Sequence, residues 1–275
     1  MTAIALIGAG GKMGYRLSRN LKNSDFETRH VENNPQAQER LKADLGLECT
    51  DMDAALAGAD AVILAVPDTL IGKVSHAIND KLAAGTMVVT LDAAAPFAGH
   101  LPEREDLVYF VTHPCHPSIF NHEPTEEAQR DFFGGLAAKQ NIVSALMQGP
   151  DESWELGEKI ARTIYAPVNR AHRVSVEHMA ILEPGLSETV AATLFATLRE
   201  ALDECVARGV SREAARDFVL GHANIELAVL FEEIDGVFSD AANKAIENGK
   251  PAIIRSDWKK VFEPEAIKES IRRIT

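Results

Sequence analysis

Basic residues are scarce in this 275-residue chain, where 28 Lys and Arg against 41 Asp and Glu give a formal net charge of −13. Such a surface repels phosphate backbones and anionic headgroups, so we expect neither a nucleic-acid partner nor a membrane partner. No apolar run reaches the roughly 18 residues of a membrane-spanning helix, and the chain starts on a core strand rather than a signal peptide. A cytoplasmic protein is the simplest expectation.

Cysteine is also scarce. Cys49, Cys115 and Cys205 lie far apart along the chain, which argues against a disulfide framework and against a cysteine-based zinc site. Hydrophobic residues make up 46% of the sequence, an ordinary share for a globular protein. A chain of this length can bury a large core and is expected to hold two domains.

A glycine-rich segment near the start is the most informative feature. Residues 4–14 read Ile-Ala-Leu-Ile-Gly-Ala-Gly-Gly-Lys-Met-Gly, an apolar strand that runs into glycines and then into a helical pattern. The spacing fits G-x-x-G-x-x-G, and strand, glycine turn and helix together predict a dinucleotide site. The predicted cofactor contacts are Gly8, Ala9, Gly10, Gly11, Lys12, Met13, Gly14, Glu32, Pro67 and Asp68.

Glu32 ends a predicted second strand at 26–32, about where a ribose-binding acid is expected. A carboxylate accepts hydrogen bonds from the ribose hydroxyls and repels a 2′-phosphate, so Glu32 favours NAD over NADP. The nearby cations Arg29 and Lys12 keep NADP open as an alternative.

Strands and helices alternate through the first half of the chain, with further strands predicted at 47–50, 61–66, 86–91, 107–112 and, as the last one, 142–147. This alternation predicts an α/β fold, an N-terminal Rossmann-type, doubly wound parallel sheet followed by a mainly helical C-terminal domain. We place the boundary between a nucleotide-binding domain, 1–150, and a helical substrate-binding and dimerisation domain, 151–275. Ligands of such sheets bind beyond the carboxyl ends of the strands, here Gly8–Gly11, Glu32, Pro67-Asp68, Asp92–Ala95 and His113–His116.

The second half reads as helical, with a long helical region at about 174–208 that Pro184-Gly185 interrupts. Apolar residues are dense between Phe218 and Phe238, which favours a homodimer. A basic cluster, Arg170, His172 and Arg173, precedes the long helix; it could hold a substrate carboxylate or form a solvated face.

Two segments carry candidate chemistry. His113-Pro114-Cys115-His116-Pro117 places two histidines directly after a strand, and histidine is both a general acid–base and a metal ligand. Glu183 stands immediately before the helix break, where a carboxylate can donate a proton or bind a metal. We assign catalysis to His116 and Glu183 and a divalent cation to His113 and Glu183, with His116 as an alternative ligand. The other interpretation makes all three solvated side chains.

Several segments resemble known dehydrogenases. Val-Ile-Leu-Ala-Val-Pro-Asp followed by Thr-His-Pro is similar to prephenate dehydrogenases and to the 6-phosphogluconate/β-hydroxyacid dehydrogenase group. Leu-Glu-Pro-Gly resembles the Ile-Glu-Tyr-Gly segment of 6-phosphogluconate dehydrogenases, which implies an acid role for Glu183. The catalytic lysine of those enzymes falls on Val176 here, so their mechanism does not transfer whole.

Over nearly the full chain the sequence resembles the D-apionate oxidoisomerases, through residues 91–100, 112–117, 144–150, 182–190 and 204–210. The resemblance implies NAD-dependent oxidation of a branched sugar acid, D-apionate, and its rearrangement to 3-oxo-isoapionate. The rearrangement is an α-ketol shift like that of ketol-acid reductoisomerase, which is metal-assisted, so a divalent cation is a second expected cofactor. The alternatives are a prephenate-type or 3-hydroxyacid NAD(P) dehydrogenase without rearrangement, and a non-catalytic NAD sensor.

Overall fold

A seven-stranded sheet organises the first part of the chain in the computed structural model, which describes residues 1–274. The strand order is β2-β1-β3-β4-β5-β6-β7, and every neighbouring pair is parallel except β5 and β6. The strands are β1 Ala3–Ile7, β2 Glu27–Val31, β3 Ala61–Leu64, β4 Met87–Thr90, β5 Val108–Pro114, β6 Gln140–Gln148 and β7 Val168–Arg173.

Helices cover both faces of this sheet, because successive strand residues point to opposite sides. Ile4 and Leu6 pack with one apolar cluster, whereas Ala5 and Ile7 pack with the other. The helices before β7 are α1 Lys12–Lys22, α2 Pro35–Leu45, α3 Met52–Leu56, α4 Asp68–Ile78, α5 Ala94–Phe97, α6 Glu126–Arg130 and α7 Ser153–Ile164. The predicted doubly wound α/β fold is confirmed.

Two local predictions differ from the structure. The predicted strand at 47–50 is a single bridge between Cys49 and His30. The predicted last strand, at 142–147, is followed by β7, which pairs in parallel with β6. The basic cluster of Arg170, His172 and Arg173 therefore lies in an edge strand of the sheet.

The chain divides into two compact units, one formed by residues 1–182 with the segment from Lys268 onward, the other by residues 183–267. The sheet-bearing unit thus extends beyond the predicted boundary at 150, because β7 and the short helix α8, Val176–Ala180, follow that point. A π-helical stretch, Ile181–Ala192, comes next in the chain.

The second unit is helical, as expected for the C-terminal half. Its elements are the rest of the π-helical stretch, α9 Thr193–Ala207, α10 Arg212–Leu230, α11 Asp240–Ile253, a 3₁₀ turn Trp258–Phe262 and the start of α12 Pro264–Ile274. Large apolar side chains on it are exposed, among them Phe218, Leu230, Phe231 and Val237. Among the described residues, no helix is both long and apolar enough to cross a membrane.

Candidate active site

The glycine loop joins β1 to α1 through a turn that larger residues would block. Gly8 has φ +82°, and a Cβ there would come within 2.4 Å of the Ala65 carbonyl oxygen. A Cβ on Gly14 would lie 1.9 Å from the Gly8 carbonyl oxygen, so this glycine lets α1 pack against the loop. The N–H groups of Gly8 and Ala9 both donate to the Val31 carbonyl, which fixes the loop against β2.

The first turn of α1 offers main-chain donors to an anion. Gly11 is the N-cap residue and carries no side chain to satisfy the first N–H groups, and the first turn contains no acidic residue. Exposed N–H groups at the positive end of a helix dipole bind phosphate groups. The start of α1 is therefore suited to bind an anion, and the contacts of Gly10 to Gly14 with the pyrophosphate stay predictions.

Glu32 is held at the end of β2 by three main-chain donors. Its Oε2 accepts from Gly10 N at 2.9 Å, and its Oε1 accepts from Asn33 N at 2.8 Å and from Asn34 N at 2.9 Å. This carboxylate stands beside the glycine loop, where the ribose of a dinucleotide lies in this fold.

Arg29 and Lys12, the two cations that kept NADP as an alternative cofactor, contact other groups of the protein. Arg29 pairs with Glu27 at 2.9 Å and donates to the carbonyl of Ala57 at 2.5 Å. Lys12 places its Nζ 3.8 Å from the centroid of the Phe133 ring. The local arrangement therefore favours NAD.

Pro67 and Asp68 follow the buried strand β3, as predicted, and begin α4 as its N-cap and first residue. Desolvation raises the pKa of Asp68, and the neighbouring Asp92 carboxylate raises it further while His113 lowers it. Asp68 thus belongs to the same charged neighbourhood as the ends of β4 and β5.

His113 and Asp92 come together at the carboxyl ends of adjacent strands. His113 Nδ1 lies 2.8 Å from the Leu91 carbonyl oxygen, which can only accept, so Nδ1 carries a proton and donates it to this oxygen. One ligand atom of Asp92 lies within 4.8 Å of one of His113. An imidazole and a carboxylate at this separation can share one divalent cation.

Asp92 has no assigned role in the sequence-based site. The one signal for it is its position directly after β4, in the row of strand ends where ligands of such sheets bind. Its partner His113 is 21 positions away, and that pairing follows from the order of the strands in the sheet.

His116 lies two residues beyond β5 and adopts φ +60°, an uncommon conformation outside glycine. Its Nδ1 is 2.9 Å from the Phe133 carbonyl oxygen, which can only accept, so in the neutral ring Nδ1 carries the proton and Nε2 presents a lone pair. Burial lowers the pKa of His116, the Phe133 carbonyl opposes that shift, and His113, Arg16 and Lys12 lower it further. A neutral imidazole near neutral pH is suited to accept a proton.

The His113 and His116 rings meet edge to face, with centroids 6.1 Å apart. The structure thus brings both predicted histidines to one place.

Glu183 lies in the π-helical stretch and is the first residue of the second unit. We expected Pro184-Gly185 to break the helix; instead the helix continues with wider turns, in which Pro184 is accommodated. π-helical turns are rare and frequently mark functional sites. The roles predicted for Glu183 stay predictions.

Comparisons with known proteins match this architecture along the chain. Residues 3–96 match the NAD binding domain of 6-phosphogluconate dehydrogenase, and residues 121–275 match the C-terminal family Phosphogluconate dehydrogenase (decarboxylating). Two curated relatives are named D-apionate oxidoisomerase. The one from Rhizobium rhizogenes is 66% identical to this chain over 100% of both proteins. The one from Cupriavidus necator is 64% identical over 99% of both proteins. The chain belongs to the D-apionate oxidoisomerase family.

A solved structure from Cupriavidus necator gives the same fold. It is described as a semialdehyde dehydrogenase NAD-binding protein in complex with calcium and NAD, is 63% identical over 100% of both chains and superposes with a TM-score of 0.99. Residues 3–96 are accordingly an NAD-binding domain, and the predicted cofactor NAD is confirmed. The individual site residues stay predictions.

Proposed function

We propose that this protein is an NAD-dependent oxidoisomerase that converts D-apionate to 3-oxo-isoapionate in carbohydrate catabolism. The observation that carries the proposal is identity of 64–66% over essentially the full length to relatives named D-apionate oxidoisomerase. The site supports it, because two imidazoles, each with its Nδ1 on a main-chain carbonyl oxygen, stand at the strand ends beside an NAD-binding loop.

The reaction has two stages that balance. In the first, the C2 hydroxyl loses its proton and C2 loses a hydride, which gives a 2-oxo acid beside a tertiary alcohol. Bound NAD⁺ supplies the hydride acceptor. In the second, the tertiary C3 hydroxyl loses its proton, the bond from C3 to a hydroxymethyl group breaks and a bond from that group to C2 forms. C3 becomes the ketone and the C2 oxygen takes up a proton.

His116 is the residue we propose for proton transfer at the oxidised alcohol. Its imidazole presents Nε2 as an acceptor, and burial and nearby positive charge keep its pKa below the ordinary histidine value. A base must be deprotonated before it acts, and this environment favours the deprotonated form. Glu183 is proposed as the acid that returns a proton, the role that its Leu-Glu-Pro-Gly segment implies.

A divalent cation is proposed at His113, Asp92 and Glu183. The support is the Asp92 carboxylate near His113 and the mixture of imidazole nitrogen and carboxylate oxygen, which suits divalent cations. A cation bound there would polarise the two substrate oxygens of the α-ketol. His113 and the two carboxylates would then serve to hold it, while His116 moves the proton.

A homodimer formed through the helical unit and a cytoplasmic location complete the proposal. The support for the dimer is the exposure of large apolar side chains on α10 and after it, with Phe231 67% and Val237 92% exposed. Exposed apolar surface of this extent marks interaction sites. A cytoplasmic location is proposed because the reaction requires NAD.

The test is product analysis with D-apionate as substrate. The purified protein should form NADH and release 3-oxo-isoapionate, identified by NMR. His116→Ala should lower kcat by roughly 10²–10⁴-fold, the loss typical of a general base, while His122→Ala, an exposed histidine of the same loop, should leave kcat unchanged. NADH formation with an unrearranged product would instead identify a simple dehydrogenase, and absence of turnover on sugar acids would favour an NAD sensor.

A further inference from the structure

The segment that joins β5 to β6 is far longer than the connection requires. These strands are antiparallel neighbours, which two residues can join, yet residues 115–139 lie between them. Apart from the short helix α6 the segment has no helix or strand, and long loops inside a compact unit often carry function. His116 stands near the start of the segment, and a turn formed by Asp131 to Gly135 stands near its end.

The buried side chain of Asp131 stabilises this turn through hydrogen bonds to the main chain. Its side chain is 3% exposed, and its Oδ2 accepts main-chain N–H groups of the three residues Leu136, Ala137 and Ala138 at 3.0, 2.9 and 3.2 Å. The turn itself passes through Gly134 and Gly135, which have φ of +71° and +79°. The buried Asp131 carboxylate therefore fixes the backbone on the C-terminal side of Phe133.

Side chains on one face of α1 donate hydrogen bonds to the same turn. Lys12, Arg16 and Asn20 are spaced by four residues, so they lie along one side of the helix. Arg16 Nε donates to the Gly134 carbonyl at 3.3 Å, and Asn20 Nδ2 donates to the Gly135 carbonyl at 3.0 Å.

The Phe133 ring also contacts side chains of α1. Lys12 Nζ lies 3.8 Å and the Arg16 guanidinium carbon 5.4 Å from the ring centroid, both within the range of cation–π contact. The ring also meets His116 edge to face, with centroids 6.0 Å apart. The ring is therefore in contact with both the cofactor-binding helix and the imidazole.

The Phe133 main chain then makes the contact that decides which nitrogen of His116 carries the proton. Its carbonyl oxygen lies 2.9 Å from His116 Nδ1 and can only accept. Because His116 sits at φ +60°, its position depends on contacts of this kind with the surrounding structure.

We propose that Phe133, clamped by Lys12 and Arg16 of α1, is a positioning residue that fixes His116 with Nδ1 protonated and Nε2 open to the substrate. The proposal rests on the proposed function, in which Nε2 of His116 takes the proton. In this proposal α1, which begins at the glycine loop, also orients the catalytic base His116.

The experiment compares Phe133→Ala with Phe132→Ala in the full-length protein. The matched control is the adjacent Phe132, which is 76% exposed, whereas Phe133 is 45% exposed. ¹⁵N NMR of labelled histidine, with His116 assigned by its loss in His116→Ala, reads the tautomer directly. In Phe133→Ala we expect a mixture of tautomers and a fall in kcat of up to about 100-fold, the cost of a misplaced catalytic group.

The affinity for NAD should change much less than kcat in the same variant, and Phe133→Tyr, which keeps the ring, should restore both the tautomer and kcat. Phe133→Leu, which keeps bulk but lacks the π face, serves as the second variant if Phe133→Ala does not fold. A wild-type tautomer signal and wild-type kcat in the folded variant that lacks the ring would overturn the positioning role. If the tautomer changes but both Phe133→Ala and His116→Ala keep full turnover, the positioning role stands and the proposed base is wrong.

Discussion

The main-chain N–H of Gly10 donates to Glu32 Oε2 at 2.9 Å, so the glycine loop and the end of β2 are joined by one hydrogen bond. A Cβ on Gly10 would lie 3.0 Å from the same oxygen and 2.6 Å from Ala37 Cβ. The bond therefore depends on a residue without a side chain at position 10. Glu32 in this way orders the glycine loop, and its contact with the ribose stays a prediction.

The first prediction concerns cofactor preference. The unmodified protein should bind NAD far more tightly than NADP, because the fixed Glu32 carboxylate repels a 2′-phosphate. Glu32→Ala should reduce the difference in affinity between the two cofactors, measured by fluorescence titration with NADH and NADPH. Glu39→Ala, which changes an exposed glutamate on α2, should leave that difference unchanged. Equal affinity of the unmodified protein for both cofactors would contradict the assignment.

The second prediction concerns the cation. Asp92→Asn and His113→Ala should each weaken Mn²⁺ binding by at least the 10- to 100-fold seen when a metal site loses a supporting group. Glu183→Gln should weaken it as well and lower turnover. Binding is measured by calorimetry on the metal-free protein, and Asp25→Asn, an exposed aspartate outside this neighbourhood, is the control.

Chelation tests the same site through the product. After removal of divalent cations the protein should lose the rearrangement, and added Mn²⁺ should restore it. Full conversion of D-apionate to the rearranged 3-oxo acid by the chelated protein would show that the cation role is wrong. His113 and Glu183 would then keep only hydrogen-bonding or acid–base roles.

The parts of this site that follow from local patterns could be predicted from the sequence. The glycine loop, Glu32 and the strand-end histidines each stand where a strand meets a turn, and strand ends are readable from apolar runs. β7 is different, because its residues Val-Asn-Arg-Ala-His-Arg alternate weakly and expose their charged side chains. An edge strand of this kind is defined by backbone pairing with β6, which no local pattern reveals.

The contacts that orient the histidines could not be predicted for a related reason. The carbonyl that fixes His116 belongs to Phe133, 17 positions away, and the one that fixes His113 belongs to Leu91, 22 positions away. Main-chain carbonyls carry no residue-type signal, so the sequence identifies the histidines but not their tautomers. In the sequence Phe133 has no feature that sets it apart from other loop residues, because its contacts with α1 arise only in the folded protein.

The third prediction concerns assembly. The protein should be a dimer at micromolar concentration by light scattering, because the helical unit exposes large apolar side chains and exposed apolar patches mark interaction sites. Phe231→Glu, at a 67% exposed position after α10, should shift it toward monomer. Phe132→Glu, equally drastic but in the other unit, should not. A monomeric unmodified protein at that concentration would reject the dimer.

The last prediction concerns pH and a histidine outside the site. His30 lies in β2, is 4% exposed, and burial lowers its pKa from 6.5 to about 4. The unfolded chain therefore binds a proton at His30 at a higher pH than the folded protein does. The stability contribution of the neutral side chain is complete above pH 6.5 and is lost as the pH falls toward 4.

A difference of this size corresponds to about 3 kcal/mol in the free energy of unfolding. We expect the stability of the unmodified protein relative to His30→Leu to fall by about that amount between pH 7 and pH 4, because leucine does not titrate. Urea unfolding at a series of pH values measures it, with His76→Leu, an exposed histidine on α4, as the control that should run parallel to the unmodified protein. A constant difference between the unmodified protein and His30→Leu across this range would show that His30 is protonated as readily in the fold as outside it.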